Sequence, residues 1–517
     1  MRPINKIVLS YLKPRLKAID SYQSTPFSVQ QRVFRELVAH GRDSLFGKEH
    51  MMGNVSDYES FRRMIPVRDY NALEPYFNRI RNGENYILWD EKVRWMAKSS
   101  GTSSARSKFI PVTPSNLHKC HYRGFQTLLA SYVNSHPDTC MFNGKSLTLG
   151  GSTSLDKLSN NRIYSGDLSG ILMQNSPFVT ELLRTPSRDI AMLSDFDEKI
   201  NKICRYCSKE DVTTISGVPS WYLVLLKRVL EYTGATDITH VWPNMELFMH
   251  GGISFAPYKE QFRRLIPSEK MNYVENYNAS EGYFAFRHAP SDKGMLLTLD
   301  NGVFYEFVPI EYLDRVLEGD SSYCCTLEGV RKGVRYAIII TTNSGLWRYL
   351  VGDCVEFTSI APYQIIICGR TQLYINTFGE ELMIHNAEEA LSSVCNDFSV
   401  HVTDYTVAPK FDQEGTGGCH QWCIEFAPES QEITSRPDFR NTFEKALDDK
   451  VRDLNSDYDG KRTNNVAMQQ LQIEIMPEGS FMKWMKSRGK IGGQNKVPRL
   501  SNERKIIEDI LKYKEQL

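Results

Sequence analysis

Neither charge is in excess across these 517 residues: 62 Lys and Arg balance 62 Asp and Glu. A nucleic-acid binder advertises a basic surplus, and the chain as a whole has none. Long apolar runs are missing too. The longest, around Trp221–Leu226 and Ala337–Ile340, fall far short of the ~20 residues a membrane span needs. The first residues lack the continuous apolar stretch of a signal peptide, so the expectation is a cytoplasmic protein without membrane contact. Cysteines are few and unframed, 11 in all, an odd number. Cys204 and Cys207 form one isolated C-x-x-C, and Cys419, His420 and Cys423 supply at most three ligands. That pattern suggests reduced thiols rather than a disulfide framework or a zinc site. Repeats and low-complexity tracts are absent as well.

What is present is ordinary globular composition, 41% hydrophobic and 24% charged, which can bury a large core without staples. At roughly 150 residues per domain the length suggests about three units or two unequal ones. Ile4, Ile7, Val8, Tyr11 and Leu12 have the spacing of an amphipathic helix, which Pro14 is expected to end. The first ninety residues read mostly as helix. From Val93 onward, short β-type runs alternate with helical stretches, such as Val212–Ser216 followed by a helix from Pro219 to Gly234. This alternation predicts an α/β architecture. Beyond Gly369 the texture changes to a polar stretch and then a smaller α+β set of elements. The expected organisation is a large domain over 1–369, a hinge over 370–380 and a small, mobile C-terminal domain over 381–517.

Four segments carry chemistry. Lys98-Ser99-Ser100-Gly101-Thr102-Ser103-Ser104-Ala105-Arg106-Ser107-Lys108 packs hydroxyls and a glycine between cations. Its hydroxyls and N–H groups can converge on anionic oxygens, with Lys or Arg adding attraction. It is not a P-loop: Gly144-Lys145-Ser146 would need a glycine at 139, where Thr139 stands. Tyr277-Asn278-Ala279-Ser280-Glu281-Gly282-Tyr283 offers an aromatic to stack a base, a hydroxyl and an acid. In Trp347-Arg348-Tyr349-Leu350-Val351-Gly352-Asp353 a β-run ends in Gly-Asp, putting a carboxylate at a strand terminus, suited to a ribose diol. Gly492-Gly493-Gln494-Asn495-Lys496-Val497-Pro498-Arg499 presents a lysine from a glycine-rich loop. Each alone also reads as a turn or a solvated loop.

In this order, the four segments resemble the Gretchen Hagen (auxin-responsive promoter) family of acyl acid amido synthetases. That family lies within the adenylate-forming superfamily of acyl-CoA ligases and luciferases. Gly217-Val218-Pro219-Ser220-Trp221 is a further family-like stretch, and the resemblance covers nearly the whole chain. Two features depart from plant members. The hinge Ile375-Asn376-Thr377-Phe378-Gly379-Glu380-Glu381 lacks their Asp-Lys step, and the connections are shorter, so the chain looks like a bacterial branch. Neither auxin nor jasmonate is assigned as substrate by the resemblance.

The resemblance implies a large adenylate-forming domain of mixed sheets and helices. It implies ATP and Mg²⁺ as cofactors, with a small-molecule carboxylic acid and an amine, an amino acid, as substrates. The acid becomes an acyl adenylate with release of pyrophosphate, then an amide. Ser99, Ser100, Gly101, Thr102, Ser103 and Lys108 are expected at the phosphates, and Tyr277 and Ser280 at the adenine side. Glu281 is expected at the metal, Asp353 at the ribose and Lys496 at the reacting carboxylate. Arg123, Trp221, Tyr222 and Leu225 are candidate acyl-pocket residues, although their spacing equally describes helix surface or core. A thiol acceptor, as in acyl-CoA ligases, and a nucleotide- or acyl-binding protein without turnover are the alternatives.

Overall fold

Pro14 does not end the first helix, which runs unbroken over Pro3–Ser24. An internal proline removes one main-chain hydrogen bond and crowds the turn before it. Tertiary contacts outweigh that cost here. Leu12, Ile19 and Tyr22 are buried. Arg15, one residue past the proline, forks onto Asp300 at 2.8 and 2.7 Å. The computed structural model describes residues 3–514 apart from 100–107, 149, 151–155, 159–162, 194, 253–254, 256–257, 290, 372–373, 376, 379, 381, 412–417, 463–467 and 489–496.

Among the described residues, strands form an eleven-stranded sheet and smaller sheets of four, three and two strands. In the four-stranded sheet, Trp95–Ser99 pairs antiparallel with Lys108–Val112 and parallel with Ile163–Gly166. The large sheet is mixed. Lys145–Thr148, Val212–Gly217, Leu247–Gly251 and Asn272–Ala279 run parallel. From Gly282–Phe286 onward its pairings are antiparallel. The parallel part needs crossovers, and the helix Pro219–Thr233 is one of them. Proline at its first turn costs no hydrogen bond there, and Gly234 closes it at φ +70°, a conformation glycine adopts freely.

The chain divides into two compact units. One holds Met1–Gly252 and Ile266–Ile367, the other Ile253–Leu265 and Cys368–Leu517. The first unit is built on a continuous apolar core that includes Phe46, Phe77, Phe284, Phe307 and Trp347. The second has its own core, in which Trp422 and Ile424 meet Leu391, Phe443, Leu447 and Val451. Its sheet joins Val402–Phe411, Gly418–Phe426 and Gln472–Met476. The middle strand is buried at every position, as expected when helices cover a sheet. The large domain expected over 1–369 includes Ile253–Leu265, but this segment clusters with the second unit. Gln261 Nε2 donates to the Val402 carbonyl at 3.2 Å, and the Tyr258 hydroxyl accepts from Arg499 at 2.9 Å. Those partners are over 140 positions away along the chain, beyond any local pattern. Among the described residues, no helix is long and apolar enough to cross a membrane.

Candidate active site

Asn272–Ala279 and Gly282–Phe286 form a tight hairpin, with Ala279 opposite Gly282 and Asn278 opposite Tyr283. Its turn is Ser280-Glu281, and both side chains are buried. The hairpin has little room to breathe. A Cβ on Gly282 would meet the Phe284 ring at 3.0 Å and the Cys120 sulfur at 3.3 Å. The Ser280 hydroxyl is buried with no hydrogen-bond partner among the described residues. Such a group costs about 1–3 kcal/mol, so its presence calls for an occupant.

Asp353 does not sit at a strand terminus as the sequence suggested. Its strand continues over Tyr349–Ile360, and a bulge turns the carboxylate instead. Leu350–Cys354 faces only Ala337–Ile339 of the neighbouring strand, and Gly352 takes φ +85°. Bulges of this kind re-aim side chains beside sites. In the sheet order this strand lies four steps from Asn272–Ala279, about 19 Å across a flat sheet at ~4.8 Å a step. The Tyr277 hydroxyl nevertheless donates to Asp353 Oδ2. The sheet therefore curls, bringing Tyr277, Ser280, Glu281 and Asp353 to one region of the first unit.

The serine-rich loop itself, Ser100, Gly101, Thr102 and Ser103, lies outside the described residues, as does Lys496. The loop's two ends are described. Ser99 and Lys108 face each other as the last rung of the antiparallel pair. Lys108 rests over the Tyr70 ring at 5.6 Å, and the Tyr70 hydroxyl accepts from the Phe109 amide at 3.0 Å.

Arg123 Nη1 donates to the Asp300 carbonyl at 3.0 Å, beside the Arg15–Asp300 pair of the N-terminal helix. Tyr222 spends its hydroxyl on the Leu147 carbonyl at 2.6 Å and stacks obliquely on Phe248. Leu225 is fully buried and Trp221 is 7% exposed. These contacts of Tyr222 and Leu225 are those that the helix-core alternative describes.

Sequence reasoning missed His121. It lies on a π-helical turn, Leu117–Tyr122, a distortion often found at functional sites. Two positions from Arg123, it faces the opposite way and meets Asn278 Oδ1 at 3.0 Å through Nδ1. Burial pushes its pKa down to about 4, so the ring is neutral at pH 7. With Nδ1–H donating to the amide oxygen, Nε2 is a buried acceptor without a partner among the described residues. No periodicity or motif marks this histidine, because a core position looks the same in sequence.

The donor set can be tested for magnesium. Among the described residues, no group of three His, Cys, Asp or Glu could cage an ion. Mg²⁺ in phosphate-transfer sites needs only one or two carboxylates, with phosphate oxygens and water completing its shell. A buried Glu281 beside the unpartnered Ser280 hydroxyl fits that mode.

Comparison with known proteins gives the same outline. The GH3 family N-terminal domain matches residues 15–271, its central domain 296–370 and its C-terminal domain 385–505. The chain belongs to the GH3 family. Among curated members, indole-3-acetic acid-amido synthetase GH3.4 of Arabidopsis thaliana is 24% identical over 556 residues, covering 94% of this chain and 91% of its own. Indole-3-acetic acid-amido synthetase GH3.8 of Oryza sativa subsp. indica is 22% identical, covering 96% and 91%. Among solved structures, the GH3.15 acyl acid amido synthetase in complex with 2,4-DB superposes with a TM-score of 0.80 at 18% identity, covering 98% of this GH3 chain and 96% of that one. A 2-hydroxyisobutyryl-CoA ligase in its postadenylation state reaches 0.56 at 12% identity, covering 96% and 92%. The fold is thus that of the adenylate-forming ligases, a large N-terminal part and a smaller C-terminal one.

Proposed function

We propose that this GH3 protein activates a carboxylic acid as its acyl adenylate and passes the acyl group to an amine, an amino acid, forming an amide. The observation that carries the reading is the contact of Tyr277 with Asp353, on a hairpin whose turn buries Ser280 and Glu281, in a chain matched by the family nearly end to end. A carboxylate does not acylate an amine at neutral pH, because oxide is a poor leaving group. Attack on the α-phosphate of ATP makes AMP the leaving group instead. The protein's task is then positioning and charge neutralisation.

The residue roles follow the chemistry of each side chain. Tyr277 offers a face to adenine, and its hydroxyl orients Asp353, whose carboxylate accepts from the ribose hydroxyls. The Ser280 hydroxyl stands at the adenine side, where a bound nucleotide would satisfy its orphaned state. Glu281 would hold Mg²⁺, which when bound supplies charge for the phosphate oxygens. Ser99, Ser100, Gly101, Thr102 and Ser103 serve the phosphates, with Lys108 as a supporting cation. Lys496 neutralises charge developing between the carboxylate and the α-phosphate. The 370–380 stretch serves as the hinge between the two domains. Arg123 and Trp221 remain candidates for the acyl pocket on the strength of sequence alone.

Acid-dependent exchange of pyrophosphate into ATP tests the first half-reaction, with indole-3-acetate, benzoate, octanoate and 2,4-DB as probes and no amine present. Lys496→Ala should lower exchange by about 10²–10³-fold, the cost of losing one charge stabiliser, about 2.7–4 kcal/mol. ATP affinity measured by calorimetry should barely change. Equal loss of exchange and of ATP binding would remove Lys496 from the chemistry. Product analysis with amino acids against coenzyme A then decides between amide and thioester.

A further inference from the structure

The C-terminal lysine segment is described from Val497 onward, and those residues are held unusually firmly. Val497 is 5% exposed and Leu500 is fully buried. The backbone of Val497–Ser501 lies along the free edge of the Val402–Phe411 strand, with Leu500 opposite Val407. The Val407 amide donates to the Arg499 carbonyl at 2.9 Å, and the Ser501 amide donates back to the Val407 carbonyl at 3.0 Å. The Thr406 hydroxyl donates to the Pro498 carbonyl at 2.6 Å.

Arg499 is the centre of this attachment. Its Nη1 donates to the Asp404 carboxylate and, at 2.9 Å, to the Tyr405 carbonyl. Its Nη2 donates to the buried Tyr258 hydroxyl at 2.9 Å, and the guanidinium lies over the Tyr405 ring at 4.6 Å. Arg499 and Asp404 side chains are only 10% and 14% exposed. A planar fork can make these contacts together, whereas the point charge of a lysine cannot. So much fixed polar structure exceeds what one edge rung requires. An edge strand can be covered by any extended segment, without a buried ion pair.

Chain geometry supplies a reason. Lys496 is one peptide before Val497, so its Cα is about 3.8 Å from a pinned neighbour. Fixing Val497–Ser501 therefore fixes the point at which the chain reaches Lys496. We propose that Arg499 is a positioning residue for adenylation, holding the segment that delivers Lys496 through Asp404, Tyr405 and Tyr258. The proposal rests on the reading of Lys496 given above. Misplacing a catalytic group by about 1 Å can cost 10²-fold.

The test is a double-mutant cycle on the full-length protein. Arg499→Met should lower acid-dependent pyrophosphate exchange by about 10–10²-fold, with ATP affinity within about threefold. Amide formation from synthetic indole-3-acetyl adenylate, or the adenylate of whichever probe acid exchanges fastest, should change less than about threefold, because it bypasses adenylation. In a Lys496→Ala background, Arg499→Met should add nothing to the exchange defect. Tyr258→Phe removes one hydroxyl and keeps the ring. It should give a smaller defect with the same non-additivity, and it serves should Arg499→Met fold poorly. An acid-free readout comes from 5′-p-fluorosulfonylbenzoyl adenosine, whose sulfonyl fluoride reacts with a nearby amine to give a sulfonamide and fluoride. ATP-protectable labelling of Lys496 in the wild type should fall at least about tenfold in Arg499→Met. Additive losses in the cycle, equal losses in both half-reactions or unchanged labelling would overturn the positioning role. Full exchange in Lys496→Ala alone would instead overturn the lysine reading on which it stands.

Discussion

Asp353 is the residue whose role is most sharply exposed to measurement. Its carboxylate is 8% exposed, turned by a bulge and met by one phenolic donor, Tyr277. Hydrogen bonds to a charged acceptor are worth about 1.5–3 kcal/mol, so Asp353→Asn should weaken ATP binding at least about tenfold. Tyr277→Phe keeps the ring and removes only the orienting hydroxyl, so its loss should be smaller. Titration calorimetry with ATP and Mg²⁺ measures both, and an unchanged Kd for Asp353→Asn would rule out the ribose role. At this scale the sequence was readable where chemistry is local. Tyr277, Ser280 and Glu281 stand within five positions, so their types alone suggest a site. Arg123 and His121 show the limit. Which of two residues faces inward depends on the phase of a π-distorted helix, and composition carries no phase.

The strand that carries Asp353 depends on what fixes its beginning. Arg348 directly precedes it at φ +46°, a left-handed conformation rare outside glycine and asparagine. Its guanidinium is completely buried, pairing with an equally buried Glu306 at 2.7 Å. It also donates to the Ile65 carbonyl at 2.7 Å and the Ser321 hydroxyl at 3.0 Å. The side chain thus stabilises a backbone turn that costs about 1–3 kcal/mol. Glu306→Ala would strand that charge. The expected loss is about 3–5 kcal/mol of stability, read as a lower denaturation midpoint, with a weakened nucleotide affinity as the strand start loosens. A change below about 1 kcal/mol would mean that the other acceptors suffice. Elements were legible in the sequence where local signals agree, as at Pro219 and Gly234. The helix through Pro14, the curl of the large sheet and the docking of Ile253–Leu265 were not. Each is decided by partners more than seventy residues away, which no window of sequence contains.

Across the whole molecule, the two units should answer pH in opposite directions. In the first, burial pushes His121 down to about 4 and His250 down to about 3. Both take up protons near pH 6.5 when unfolded, so between about 6.5 and 4 the unfolded chain binds more protons and stability falls as pH falls. Burial raises Asp167 of the same unit to about 6, which works the other way, but one carboxyl is outweighed by two histidines. In the second unit, burial raises Glu425 to about 7, against the pull of two amide donors, Gly479 and Phe481, and with Asp404 and Glu478 adding to the rise. A carboxyl raised on folding leaves the folded state holding the extra proton between about 4.5 and 7. Its contribution is therefore fully present below about 4.5 and lost as pH rises through 7. Each pH unit of such a mismatch is worth about 1.4 kcal/mol per group. Differential scanning calorimetry from pH 7.5 to 5 should show one transition moving down and the other moving up relative to it. Glu425→Gln should abolish the upward movement and so identify the transition that belongs to the second unit. Added ATP should raise the other, since the proposed nucleotide residues Tyr277, Ser280, Glu281 and Asp353 belong to the first unit. Parallel movement of both transitions, unaltered by Glu425→Gln, would mean that these buried groups do not govern acid sensitivity.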